Sequence, residues 1–172
     1  NGISDAFNKG IAKATGDLIV LINSDDELLP EALQIVADTW DGQSDIWSGD
    51  YTAWNEKTGQ TFTICPSLDF PNPPYFRRAV HQGRFITKRL YERIGLYDES
   101  IRYPMDLEFL MRAYSNGATF QYTPQSVAKF RLGGATNDNV FKKKHDYTYM
   151  VRKHGGTWLQ AQCFFCFLVI TQ

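Results

Sequence analysis

The chain has 172 residues, of which 43% are hydrophobic and 22% are charged, as is typical of one globular domain. Its 18 Lys and Arg residues and 19 Asp and Glu residues leave a net charge of −1, which argues against broad nucleic-acid binding. Three cysteines are too few for a disulfide scaffold, and an aromatic content of 15% argues against disorder. The composition favours a reduced, intracellular domain.

The chain begins with a helix. Ser4 is a suitable N-cap, and Phe7, Ile11 and Ala14 share one helical face before Gly16 ends the element. The apolar run 18–22 follows and is typical of a strand covered on both faces. It ends in the polar segment 23–27.

A second helix begins near Pro30 and is expected to bury a stripe made of Leu33, Val36, Ala37 and Trp40. Helix, buried strand, acidic loop and helix predict an α/β fold. Further along we expect strands at 45–54, 61–65 and 83–87, a proline-rich loop at 66–74, helices at 88–94 and 104–116, strands at 119–122 and 126–130, and a helix at 140–153.

The two ends of the chain are unusual. Asn1 stands where a complete protein would have Met, which we interpret as the start of a fragment. The apolar run 163–170 is shorter than the roughly 20 residues that span a bilayer. We therefore divide the chain into a domain at 1–155 and an apolar tail at 156–172. The tail is a helix that either docks on its own domain, lies at a membrane surface, or begins a membrane span.

The first chemical signal is the pair Asp25 and Asp26 directly after the buried strand. Ligands of open α/β sheets bind beyond the carboxyl ends of strands. Adjacent carboxylates without a neighbouring Lys or Arg repel each other unless they share a cation, and Mg²⁺ or Mn²⁺ prefers such oxygen ligands. The alternative is a solvated turn that caps the next helix.

The second signal is Asp106 and Glu108 in the first turn of the helix that Pro104 begins. The helix dipole stabilises an ionised carboxylate there, as a general base requires before it accepts a proton. The alternative is a pair of helix-start acids, with Glu108 pairing with Arg112 on the surface.

Taken together, these segments resemble the family 2 glycosyltransferases of the GT-A fold. The resemblance covers roughly residues 1–135 and rests on the segments 2–11, 14–19, 21–30, 81–86, 94–99 and 106–112. It implies a nucleotide-sugar-binding domain with a mostly parallel central sheet flanked by helices, whose first strand or strands precede this sequence. Many members carry Arg where this chain has Phe7, which removes one diphosphate contact.

The resemblance implies inverting sugar transfer from a nucleotide diphosphate donor to a saccharide or lipid-linked acceptor. Asp26, with Asp25, would hold Mn²⁺ or Mg²⁺ on the donor diphosphate, and Asp106 would deprotonate the acceptor hydroxyl. Asp5 and Asn8 would lie beside the donor, or else serve as a helix cap and a buried amide. Candidate acceptor or phosphate contacts are His81, Gln82, Glu108 and Arg131.

The expected setting is polysaccharide or glycolipid synthesis in the cytoplasm, at the inner face of the membrane if the apolar tail makes peripheral contact with it. No nucleic-acid partner is expected. The alternative function is a non-catalytic nucleotide-sugar-binding or scaffold module of the same fold. Fold analogy alone would be a weak argument for catalysis, but the metal and base candidates fit that chemistry independently.

Overall fold

The computed structural model describes residues 2–66, 81–132 and 140–170. Its helices are α1 (Ile3–Lys13), α2 (Ala32–Thr39), α3 (Lys88–Ile94), α4 (Met105–Ser115), α5 (Val140–Lys153) and α6 (Trp158–Ile170). Its strands are β1 (Leu18–Val20), β2 (Glu27–Leu28), β3 (Ile46–Trp54), β4 (Thr61–Ile64), β5 (Arg84–Thr87) and β6 (Phe120–Arg131). The expected α/β class is confirmed.

The six strands form one sheet in the order β1-β5-β3-β6-β2, with β4 paired to β3. The expectation of a mostly parallel sheet is wrong for the described part of the chain. Only β3 and β6 pair in parallel there, whereas β1 with β5, β3 with β5, β3 with β4, and β2 with β6 are antiparallel. Whether two strands pair in parallel depends on which strands become neighbours, and an apolar run in the sequence does not predict that.

Helices cover both faces of the sheet. Neighbouring residues on a strand point to opposite sides, and apolar side chains on both sides need to be covered. On one face Ile46 and Ile86 lie opposite each other and belong to a core that α1, α3, α4, α5 and α6 complete. On the other face Trp47 and Phe85 pack edge to face beneath α2. The sheet is thus the middle of three layers.

Several local expectations are corrected. Ser4 lies inside α1 and its hydroxyl donates to the carbonyl of Ile101, so it is a tertiary contact and not a cap. The exposed fraction of Leu33 is 64% and Ala37 is also exposed, whereas α2 buries Ala32 and, as predicted, Val36. Ile19 is the one buried residue of β1, which lies at one end of the strand order. The two short strands expected at 119–130 form the single strand β6.

The tail folds as α6, with Ala161, Phe164 and Phe165 buried in the core shared with α5. Leu159 and Phe167, two helical turns apart on α6, are exposed. Among the helices that the structure describes, none is long and apolar enough to cross a membrane. The predicted membrane contact and the predicted division at residue 155 stay predictions.

The central pair of strands contains an irregularity at Gly49. The register between β3 and β6 shifts on either side of Asp50, because Pro124, Gln125 and Val127 of β6 are extra residues with no paired partner on β3. A Cβ atom on Gly49 would lie 2.8 Å from the carbonyl oxygen of Gln125 and 2.9 Å from side-chain atoms of Trp47 and Val127. Only glycine therefore allows the two strands to approach this closely.

We expect Gly49→Ala to lower the free energy of unfolding by about 1–3 kcal/mol, because backbone as well as side chains must move to admit a methyl group. Gly10→Ala is the matched control. No atom lies within 4 Å of its Cβ position in α1, and alanine should stabilise the helix by about 0.5–1 kcal/mol. Urea unfolding measures both, and equal effects of the two substitutions would contradict the close approach.

Candidate functional site

The carboxylate of Asp26 lies where three segments of the chain meet. Its Oδ2 accepts hydrogen bonds from the side-chain amides of Asn23 and Gln82, each at 3.0 Å. Its Oδ1 accepts from the backbone N–H of Arg131 at 3.2 Å. All three donors are neutral, so they orient the carboxylate without cancelling its charge. That is what a ligand for a hard cation requires.

A cleft of about 230 Å³ opens beside Asp26. Its lining consists of Ser24, Asp25, Asp26, Glu27, Trp54, Lys129 and Arg131. The two carboxylates predicted to hold a metal therefore both line this cleft, and Asp25 is exposed to solvent. Among the residues that the structure describes, no group of three or more His, Cys, Asp or Glu side chains is arranged around a metal position. The donor set fits an ion that keeps water or phosphate oxygens as its other ligands.

The cleft also contains two cations and an aromatic ring. Lys129 Nζ lies 3.0 Å from Glu27 Oε1 and 4.6 Å from the centroid of the Trp54 ring. Arg131 pairs with Glu56. Arg131 was a predicted acceptor or phosphate contact, whereas Trp54 and Lys129 were not predicted from the sequence. The alternation of Lys129 and Arg131 along a strand was the available signal.

Asp106 lies in the first turn of α4, as predicted, with 19% of its side chain exposed. Its Oδ2 is 3.8 Å from His81 Nδ1, and its Oδ1 accepts from the backbone N–H of Leu107. His81 also packs against Phe7, with ring centroids 5.3 Å apart. The Nε2 of His81 is buried and has no hydrogen-bond partner among the described groups. Phe7 therefore packs against the residue next to the base candidate.

The charge of Asp106 affects the pKa of a neighbouring side chain, Tyr51. Burial raises the pKa of Tyr51 to about 12, and the carboxylate of Asp106 adds to the rise while the guanidinium of Arg84 opposes it. His81, Arg84, Tyr97 and Asp106 line one small cavity. Asp106 thus lines the same small cavity as the guanidinium of Arg84 and the phenol ring of Tyr97.

The dipeptide His81-Gln82 connects the two acidic groups. Gln82 donates to Asp26, and its neighbour His81 lies against Asp106. The turn that carries them is fixed at Gly83, whose φ is +68° and whose carbonyl accepts from the N–H of Gly49 at 2.9 Å. A Cβ on Gly83 would lie 2.9 Å from the Gly49 carbonyl oxygen. The structure therefore brings four predicted site residues together.

The predicted donor contacts in α1 have partners within the fold. The Asn8 amide is buried, donates to the carbonyl of Tyr97 at 2.9 Å and accepts from the Tyr97 N–H at 3.0 Å. Asp5 pairs with Lys9 at 2.8 Å. Asn8 therefore joins α1 to the segment before α4, which is the buried-amide alternative. A donor contact of Asp5 and Asn8 stays a prediction.

Glu108 lies in a buried cluster of charges. Its side chain is fully buried and accepts from Arg112, Lys153 and His154 at 2.9–3.3 Å. The pairing with Arg112 was predicted, but for the surface, whereas α5 covers it. Burial opposes the charge, yet the hydrogen bonds from His154, Arg112 and Lys153 outweigh it and lower the pKa of Glu108 to about 2. Such an enclosed carboxylate supports α4 and has no open side for a substrate.

The proline-rich loop predicted at 66–74 lies outside the described residues, apart from Pro66. The site as described consists of the Asp26 cleft, the His81-Gln82 turn and Asp106.

Comparison with known proteins agrees with this architecture. The sequence model of the glycosyl transferase family 2 matches residues 1–98. The chain is 29% identical over 149 residues to the PGL/p-HBAD biosynthesis glycosyltransferase of Mycobacterium tuberculosis, covering 83% of this chain and 56% of that protein. It is 25% identical over 159 residues to the uncharacterized glycosyltransferase YwdF of Bacillus subtilis, covering 87% of this chain and 59% of that protein.

Among solved structures, S. aureus TarS superposes with a TM-score of 0.62 at 15% identity, covering 88% of this chain and 27% of that one. The fold is therefore of the GT-A type. The chain belongs to glycosyl transferase family 2. It spans about half the length of the curated relatives it matches.

We expect the Glu108 cluster to make stability depend on pH. The folded pKa is below the ordinary value of 4.5, so the stabilisation is complete above that value and is lost as pH falls towards about 2. The charge of Glu108 contributes about 3 kcal/mol to that loss. Glu108→Gln should therefore show a flatter fall in unfolding free energy between about pH 5 and 2. Glu92→Gln, at an exposed position on α3, is the control. Identical pH profiles for Glu108→Gln and wild type would contradict the assignment.

Proposed function

We propose that this chain carries the catalytic site of an inverting, metal-dependent glycosyltransferase. The enzyme would transfer a sugar from a nucleotide diphosphate to an acceptor hydroxyl, in the synthesis of a polysaccharide or glycolipid. The observation that carries the proposal is the His81-Gln82 turn, which contacts Asp26 on one side and Asp106 on the other. Family membership supports glycosyl transfer, and this geometry supports the division of roles between the two acids.

In this proposal Asp25 and Asp26 hold Mn²⁺ or Mg²⁺ at the cleft. A divalent ion bound there would neutralise the charge that develops on the leaving nucleoside diphosphate. Gln82 and Asn23 orient the Asp26 carboxylate for this role through bonds to Oδ2. The backbone N–H of Arg131 occupies one position on Oδ1, and a carboxylate oxygen has two lone pairs, so a second position on Oδ1 remains for an ion.

Asp106 acts as the general base. As the acceptor oxygen attacks the anomeric carbon, its proton passes to the carboxylate of Asp106, and the bond from that carbon to the diphosphate oxygen breaks. One displacement inverts the anomeric configuration and needs no covalent enzyme intermediate. Asp106 is held in place by its position in the first turn of α4. His81 limits where the carboxylate can turn.

We expect Asp26→Asn to weaken metal-dependent binding of nucleoside diphosphates at least about 10-fold, because one of two charged ligands is lost. Calorimetry with UDP, GDP and dTDP, with and without Mn²⁺, measures this on the full-length protein. Asp38→Asn, an exposed acid on α2, is the control. A folded wild type that binds none of the nucleotides would overturn the proposal.

Asp106→Asn should separate binding from chemistry. Affinity for the nucleoside diphosphate should stay within about twofold of wild type, while sugar transfer falls about 100- to 10,000-fold, the usual contribution of a general base. The measurement is release of nucleoside diphosphate from the donor that wild type prefers. Unchanged turnover in the variant would remove Asp106 from the mechanism. Donor binding without any transfer by wild type, across an acceptor panel, would favour the non-catalytic module.

A further inference from the structure

The two cations of the cleft have a defined geometric relation to the metal candidate. Lys129 and Arg131 are two residues apart at the end of β6 and therefore share one face of the strand. Lys129 lies opposite Glu27 in the antiparallel pairing with β2, and Arg131 lies opposite Trp54 in the parallel pairing with β3. The main chain of Arg131 is itself bonded to Asp26. Lys129 and Arg131 therefore line the same cleft as Asp26, the carboxylate proposed to hold the ion.

Both cations are paired with carboxylates that are easily displaced. The exposed side-chain fractions are 62% for Glu27 and 52% for Glu56. Ion pairs between such solvated groups contribute little, typically about 0–1 kcal/mol. The pair of Asp45 with Arg93 is different, because the exposed fraction of that carboxylate is only 6%. The cleft pairs can therefore break at small cost.

We infer that Lys129 and Arg131 bind the diphosphate of the donor, and that Glu27 and Glu56 occupy these cations when no donor is present. This inference rests on the proposed function. On binding, each cation exchanges an exposed carboxylate for phosphate oxygens, and no covalent bond changes. A guanidinium forms stronger paired bonds with phosphate than with a solvated carboxylate. The Trp54 ring keeps the Lys129 ammonium in place during the exchange, because its contact does not involve Glu27.

The arrangement explains how a cleft lined by three acids can accept a dianionic ligand. A divalent ion would compensate the negative charges of Asp25 and Asp26. The remaining charge of the phosphate groups would need further positive charge nearby. Lys129 and Arg131 supply that charge once Glu27 and Glu56 are released. Charge at this point also stabilises the departing diphosphate.

The test measures affinity for UDP, GDP and dTDP in the presence of Mn²⁺ by calorimetry on the full-length protein. Lys129→Gln and Arg131→Gln should each lower the affinity for the nucleotide that binds best by about 10-fold. Glu56→Gln should raise the affinity for the same nucleotide by about 2- to 5-fold, since a competing carboxylate is removed. Glu27→Gln should act in the same direction. Lys13→Gln, an exposed lysine of α1, is the control for net charge.

Glu56→Gln is the decisive variant, because loss of folding cannot produce tighter binding. Glu27→Gln is also titrated with Mn²⁺ alone, and weaker Mn²⁺ binding would make Glu27 a metal ligand and overturn its role as a competitor. If wild type binds nucleotide with metal but Glu56→Gln binds equally or less tightly, the exchange is wrong and the proposed function stands. If wild type binds no nucleotide, both fail.

Discussion

The site depends on one carboxylate, Asp26, being held by neutral donors from three separate segments. The directions of the strands make this possible. Because β1 and β5 are antiparallel, the end of β1 lies beside the start of β5, which brings Asn23 and Gln82 together. Since β6 runs antiparallel to β2 and parallel to β3, its end, with Arg131, reaches the same edge. An all-parallel sheet would place the start of β5 at the opposite edge, and Gln82 could not reach Asp26.

The partners of a carboxylate distinguish structural acids from candidate catalytic ones in this protein. Asp45 is buried and bonded to Arg93 and Arg89. Burial opposes its charge, but the hydrogen bonds from Arg93, the Thr119 N–H and Arg89 outweigh burial and lower its pKa. Glu108 is fully buried and is bonded to Arg112, Lys153 and His154. Both are neutralised within the fold, as buried charges must be. Among the described residues, Asp26 instead receives the neutral hydrogen bonds given above and no cationic partner, so its charge is available to a ligand.

The sequence predicted the elements with strong local signals. The bounds of α3 match because the strand before it and Gly95 after it mark both ends, and α4 follows Pro104 as expected. Strand neighbours and directions could not be predicted, since they depend on long-range packing. The acids were found because they interrupt or follow recognisable elements. Trp54 and Lys129 were missed because an aromatic and a lysine on strands are ordinary there, and only the pairing of β3 with β6 and of β6 with β2 places them at the cleft.

The proposed site extends beyond the segment that the family model matches. Residues 1–98 contain Asp26, His81 and Gln82, but Asp106 and Arg131 come later in the chain. Asp106 shares the first turn of α4 with Glu108, which Lys153 of α5 holds, and Arg112 of the same helix bonds the carbonyls of Gly95 and Leu96. Through these bonds α5 and the turn after α3 determine where α4 begins. The position of the proposed base relative to the cleft is therefore a property of the later half of the chain, and the His81-Gln82 turn is where it meets the earlier half.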